Sequence, residues 1–262
     1  MRLTDLAPAH PALSAVRTLI IPTVSAANLP QLACELLIHT HALPRLAIVT
    51  DAGVVPAVGA DALLGGQAHA LSAGCELFCD GSVAVLQLRS PLAAGAGPAF
   101  ARRVHEWARR ALGGARVIWL HASLTEEVGG GLPQQHAGGP AGSEVDWAMA
   151  GAEAGALAAA LQQVRWGALP ADDARREAGG VVHGLLDAAA ETAGAPEIAV
   201  LCTTTLDWNA VPSAVSLATA LSALLAALAE GEQPAGSPLA GVNRKVGLAE
   251  WRQPPSWAGL ML

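Results

Sequence analysis

Tyrosine is missing from this chain, phenylalanine occurs twice, and Lys245 is the single lysine. Only 14% of residues are charged and the net charge is −7. A nucleic-acid surface normally shows a basic excess, so that class of partner is excluded. There is no Gly-Lys-Ser phosphate cradle and no Gly-x-Ser-x-Gly nucleophile elbow. The four cysteines, Cys34, Cys75, Cys79 and Cys202, form no Cys-x-x-Cys pair. Cys34 and Cys202 lie in apolar elements, where thiols behave as small hydrophobes. On a strand, Cys75 and Cys79 share a face but stand roughly 13 Å apart, too far to share a metal ion. The start of the chain has no uninterrupted apolar segment of the secretory kind. These facts fit a reducing compartment, with no metal or cofactor expected.

What is abundant is apolar: 52% of the 262 residues are hydrophobic. One α/β domain over residues 1–230 is the natural division, with a Gly/Pro/Gln-rich mobile loop at about 124–145 and an extended C-terminal tail over 231–262. Strand patterns fall at 18–24, 45–50, 75–79, 83–88, 115–120 and 197–203, and helical patterns at 29–42, 98–112, 146–164 and 210–229. This alternation predicts a mostly parallel but mixed sheet flanked by helices, with 75–79 and 83–88 joined as a hairpin across Asp80-Gly81-Ser82. Residues 210–229 carry no charge and are long enough to span a bilayer. Leu217, Leu221, Leu224, Leu225 and Leu228 share one stripe with small residues behind them, which reads as a core helix instead.

Candidate chemistry is sparse. Asp51, Asp207 and Asn209 follow strands at the carboxyl edge, where open α/β sheets place ligands. Helix capping is the better reading of Asp207 and Asn209. Ser25 and Ser123 also follow strands, outside any nucleophile motif. His39 and His41 fall on different helix faces, so they do not pair as ligands. Arg102, Arg103, Arg109 and Arg110 read as the solvated back of a helix, with an acidic docking patch as the rival. No constellation adds up to a reaction, so no catalytic residue is assigned.

An ordered set of blocks nevertheless points somewhere specific. The run Thr18–Ala33, then Thr50–Gly59, Leu86-Gln-Leu-Arg-Ser90, Ala115–Leu120, Gly179-Gly180, Asn209-x-x-Pro212-Ser-Ala214 and Pro255-Ser-Trp257 resembles the proteasome assembly chaperone 2 family. The resemblance implies an α/β fold similar to the nucleoside phosphorylase architecture, without enzymatic activity. It also implies a cytoplasmic and nuclear chaperone that pairs with proteasome assembly chaperone 1. That heterodimer would hold core-particle α-subunits, help the α-ring close and prevent off-pathway α-ring dimerisation. Family partners insert C-terminal tails into pockets between α-subunits in a hydrophobic–Tyr–any pattern. Here Leu260, Met261 and Leu262 occupy those places, without the phenol. Trp251 and Trp257 could instead pack back on the domain. The rival readings are a nucleoside-type small-molecule enzyme on the same fold, which would need Asp51 or Asp207 in a closed pocket, and a self-associating structural protein.

Overall fold

The computed structural model describes residues 2–4, 11–61, 63, 71–124, 145–150, 155–164, 166–168, 179–191, 196–205, 210–232, 244–255 and 257. Its centre is four parallel strands in the order β7 (Val83–Leu88), β2 (Thr18–Pro22), β8 (Arg116–Leu124) and β11 (Ile198–Thr205). These are near-continuous apolar runs, as strands covered on both faces must be. On one flank β6 (Cys75–Asp80), β3 (Arg45–Thr50) and β1 (Arg2–Thr4) join antiparallel in turn. On the other, β9 (Val145–Ala150) pairs antiparallel with β11 and parallel with the two-residue β10 (Gly167–Ala168). The sheet is therefore parallel at its heart and antiparallel at most flanking ladders.

Side-chain alternation splits the core in two. Ile20, Val85, Ile118, Leu120, Ala199 and Leu201 face α2 (Leu29–Thr40), α4 (Ala156–Val164) and α6 (Ala210–Glu232). Leu19, Ile21, Leu86, Val117, Trp119 and Val200 face α3 (Gly97–Ala111) and α5 (Gly179–Glu191). A four-residue helix α1 (Pro11–Ser14) precedes β2, and a separate two-stranded ribbon pairs β4 (Val58–Ala60) with β5 (Leu71–Ala73). The hairpin β6–β7 turns at Gly81, whose φ of +57 suits a residue without Cβ.

One expectation changes. The stretch 146–164 is not one helix: Val145–Ala150 is strand β9, paired with β11, with Val145 buried in the core on one face of the sheet and Ala148 in the core on the other. Gly179-Gly180 opens helix α5. Asn28 stands at the start of α2 but makes no side-chain cap, since it and Ala27 adopt left-handed φ of 55 and 51. The long apolar helix α6 packs on α2 and α4, with its leucine stripe in the core. Of the expected mobile loop at about 124–145, Leu124 ends β8 and Val145 begins β9, and residues 125–144 lie outside the described residues.

Candidate functional site

The chain leaves β2 through α2 toward β3 on one side, and β8 toward β9 and β11 on the other. The carboxyl ends of β2 and β8 therefore form the switch point where α/β sheets gather ligands. The residues there are polar and closely knit. Thr23 Oγ1 lies 3.0 Å from Ser25 Oγ, from the Leu120 carbonyl and from His121 Nδ1. His121 Nε2 lies 3.3 Å from Ser123 Oγ, and Ser25 Oγ accepts the Ala122 amide at 3.1 Å. Thr23, His121 and Ser123 are all buried. Beneath them Gln31, with its amide oriented to satisfy both ends, donates to the Thr23 and Asn28 carbonyls at 3.1 and 3.2 Å. The sequence singled out the two serines but not Thr23 or His121. A histidine within an apolar strand, two residues from a serine on the same face, was the available signal.

Asp51, the candidate acid, is occupied. Arg103 grips it through Nε and Nη2 at 2.8 and 2.5 Å, and the Gly53 amide donates at 2.7 Å. Burial pushes its pKa up, but the Arg103 bonds and the Gly53 amide outweigh burial and hold it below the usual carboxylate range. A carboxyl so held is a structural anion and a poor proton donor. Asp207 and Asn209 lie outside the described residues. His39 lies in the last turn of α2 and His41 follows the helix, edge-on to Trp251. Burial, then the Arg244 charge, lowers the His41 pKa. All four cysteines are buried thiols outside any disulfide, and burial pushes Cys34, Cys75 and Cys79 up. Among the described residues no group of His, Cys, Asp or Glu could hold a metal ion. At the opposite, amino edge, Arg17, Thr18, Ser82, Arg116, Leu225 and Glu232 line a cavity of about 180 Å³. Small-molecule sites usually enclose roughly 300–1,000 Å³.

A second polar system runs across the α2 face of the sheet. Glu76 is fully buried and takes Arg45 Nη1 at 2.6 Å and Arg89 Nη1 at 2.9 Å. Arg45 also reaches Asp61 at 3.3 Å and the Leu71 carbonyl at 2.6 Å, which ties the β4–β5 ribbon to the ladder. Arg89 Nε then lies 3.4 Å from Glu35 Oε1 on α2, and Glu35 Oε2 accepts Trp257 Nε1 at 3.1 Å. The charge in Cys75-Glu-Leu-Phe-Cys79 was the sequence clue, because a buried carboxylate in an apolar strand must be paired.

Trp257 belongs to a C-terminal strap. Residues 244–255 and 257 cross α2 and α6, with Val246 and Trp257 buried. Ser222 Oγ donates to the Arg244 carbonyl at 3.2 Å and accepts the Val246 amide at 2.8 Å. Trp251 Nε1 donates to Thr219 Oγ1 at 2.9 Å, and the Arg252 amide donates to Thr40 Oγ1 at 2.9 Å. The small polar residues on the back of α6 are thus the strap's attachment points. Leu260, Met261 and Leu262 lie outside the described residues.

Comparison with known proteins supplies what the geometry alone does not. A segment of 117 residues is 29% identical to proteasome assembly chaperone 2 of Nematostella vectensis, covering 42% of this chain and 48% of that protein. This chain is similar to proteasome assembly chaperone 2. The match spans about half the length of that curated relative. The fold agrees with two solved structures from Pyrococcus furiosus. PbaA, an archaeal homolog of proteasome-assembly chaperone, superposes with a TM-score of 0.60 at 13% identity over 84% of this chain and 89% of PbaA. PbaB, an archaeal proteasome activator, gives 0.55 at 12% identity over 80% of this chain and 84% of its own. At those identities the likeness establishes the fold. No family model matches the chain. Neither neighbour is described as a nucleoside phosphorylase, so likeness to that architecture stays an expectation of the sequence.

Proposed function

We propose that this chain is a non-catalytic proteasome assembly chaperone. It acts as one half of a heterodimer with the sister protein, proteasome assembly chaperone 1, in the cytoplasm and nucleus. The pair binds core-particle α-subunits, promotes closure of the α-ring and prevents α-rings from joining off pathway. The observation that carries this reading is the similarity to proteasome assembly chaperone 2, made on the chain's own residues rather than on fold alone. The geometry is compatible: the anion best placed for chemistry, Asp51, is consumed by Arg103. In this reading Leu260, Met261 and Leu262 are the residues that enter an α-subunit pocket. A hydrophobic side chain would fill it, and a peptide carboxylate would meet a basic group.

The rival is a small-molecule enzyme, and the Ser123–His121–Thr23 chain is the arrangement it would rest on. One experiment separates the two. The tagged full chain is recovered from native cytosol and every co-purifying protein is identified by mass. Recovery with the sister chaperone and α-subunits is expected. Recovery of the chain alone, together with a metabolite turned over by the wild type and not by Ser123→Ala, would overturn the chaperone reading.

A further inference from the structure

Among the described residues the large apolar side chains left exposed are Val58, Leu71 and Val55, at 72, 57 and 41%. They fall together, on the β4–β5 ribbon and the segment that enters it. Directly opposed residues of an antiparallel pair point to the same side. Val58 with Ala73 and Ala60 with Leu71 therefore make one outward apolar face, while Gly59 and Ser72 turn the other way and Ser72 is buried. Residues 52–60 and 71–75 carry no charge. The ribbon's two edges differ. The Gly74 amide donates to the Ala57 carbonyl at 2.9 Å, so the ladder bonds alternate to Gly59 and Ser72. The amides and carbonyls of Val58 and Ala60 then turn outward along β4, and among the described residues nothing bonds them. On the β5 side the Leu71 carbonyl accepts Arg45 Nη1 at 2.6 Å, and Glu76 and Asp61 hold Arg45 in turn. The ribbon is a fixed platform with one open edge. Charge, proline or a bulge usually guards such an edge, and β4 has none of them.

We infer that β4 receives an extended, uncharged segment of the sister chaperone, which adds beside Val58–Ala60 as a third strand and covers the apolar face. The choice of donor rests on the heterodimer reading. Main-chain bonds to the open edge supply affinity, and apolar side chains at alternate positions of the added strand meet Val58 and Ala60. A charge-free face suits a permanent partner, because permanent interfaces are the more hydrophobic ones. A second copy of this chain fits less well. Pairing β4 with β4 about a twofold axis matches three residues a side, far short of the roughly 800 Å² that each partner buries in a stable complex. Two copies also each bring a net charge of −7. The added strand is one element of a larger contact with the sister chaperone, and the ribbon, held by Arg45, is already ordered to receive it.

The test titrates the purified full chain with purified proteasome assembly chaperone 1 and follows hydrogen exchange in the complex. Wild type should bind, and the outward amides of Val58 and Ala60 should become protected. Val58→Asp puts a carboxylate on the apolar face without touching the ladder, and should bind at least about tenfold more weakly. Ala60→Pro removes an outward amide that no ladder bond uses, and should bind about three- to tenfold more weakly. Both positions are exposed, so both variants should keep the wild-type urea midpoint. If Ala60→Pro does not, Val58→Asp and the wild-type exchange pattern decide. Wild-type affinity in Val58→Asp, or a wild-type complex in which the Val58 and Ala60 amides still exchange fast, would overturn the open-edge inference and leave the heterodimer reading standing. No binding by wild type would remove the heterodimer reading and the donor with it. Protection of the same amides in the chain alone, rising with its own concentration, would make a second copy the occupant and overturn the sister chaperone as donor.

Discussion

The two helical layers of this sheet solve the same packing problem differently. On one face α3 buries Phe100, Ala101, Val104, His105 and Ala108 and leaves Arg102, Glu106, Arg109 and Arg110 outward. One amphipathic helix, paired with α5, is enough there. On the other face α2 and α6 are apolar over much more of their girth. In α2, Leu29, Pro30, Gln31, Ala33, Cys34, Leu36, Leu37 and Ile38 are all buried. Such helices need cover on two sides, and the second side of α6 is supplied in part by the strap. The same face carries the buried ladder through Glu76, whereas the polar pair buried on the α3 side is Trp119 and His105. A layer that can stand alone keeps a charged back. A layer that needs a third element is where a terminal segment becomes part of the fold.

The largest effect should come from breaking the ladder. Glu76→Gln removes a fully buried charge from between Arg45 and Arg89 and leaves both cations short of an anion. Losing one member of a buried pair typically costs about 3–5 kcal/mol. Urea unfolding should show a loss in that range, and a loss under about 1 kcal/mol would mean that the ladder is a solvent-accessible chain of weak pairs. Trp257→Ala comes next. Emptying a socket filled by a buried indole costs about 3 kcal/mol. Here the loss should fall on the strap's attachment more than on the whole domain. Hydrogen exchange should then rise at Val246 and Arg252 while the central strands keep their protection. Uniform acceleration across β2 and β8 would instead make the strap an integral part of the cooperative unit.

The asymmetry between the layers was only half legible in the sequence. The period-2 and apolar runs placed 45–50 and 83–88 at the observed bounds, and Arg102, Arg109 and Arg110 lie on the exposed back of α3 as read, whereas Arg103 turns to Asp51. The leucine stripe of α6 was equally plain. What attaches to its back was not, because Thr219 and Ser222 look like ordinary interruptions until the strap's Trp251 and Val246 are placed on them. The segment 146–164 misled because Trp147 and Met149 extend an apolar pattern that also fits a helix. Pairing with β11, more than 45 residues away in sequence, decides it. The hydroxyl–imidazole group at the switch point draws on residues 23, 25, 121 and 123, and the ladder on 35, 45, 61, 76 and 89. Such long-range assemblies leave only single odd residues in each local pattern. Glu76 was the clearest of those, and its meaning depended on partners that local spacing does not reveal.

Acid should act on the α3 layer next. Burial pushes the His105 pKa down to about 4, against the raising effect of its contact with the Ala188 backbone. The neutral ring accepts Trp119 Nε1 at 3.2 Å. An unfolded chain would take up that proton near pH 6.5. His105 therefore contributes full stability above about pH 6.5, loses it progressively as the pH falls toward about 4, and adds no further slope below. Within that window stability should fall by about 1.4 kcal/mol per pH unit for this one proton. His105→Gln, which keeps a hydrogen-bond acceptor but cannot titrate, should flatten that part of the curve. An unaltered slope in the variant would assign the acid sensitivity to carboxylates instead.

The smallest effect tests whether the α3 layer is self-sufficient. Arg109 and Arg110 are exposed in the last turn of α3, where their charges favour the helix's carboxyl end by about 0.3–1 kcal/mol at most. Replacing both by alanine should shift stability by less than about 1 kcal/mol, because alanine's helix propensity offsets part of the loss. The proposed function uses Leu260–Leu262 and no residue of α3 for the ring contact, so ring binding should not change either. If the double variant keeps its stability but binds α-rings several-fold more weakly, the charged back is an acidic-partner surface. The layer that needs no third element for its fold would then need one for its function.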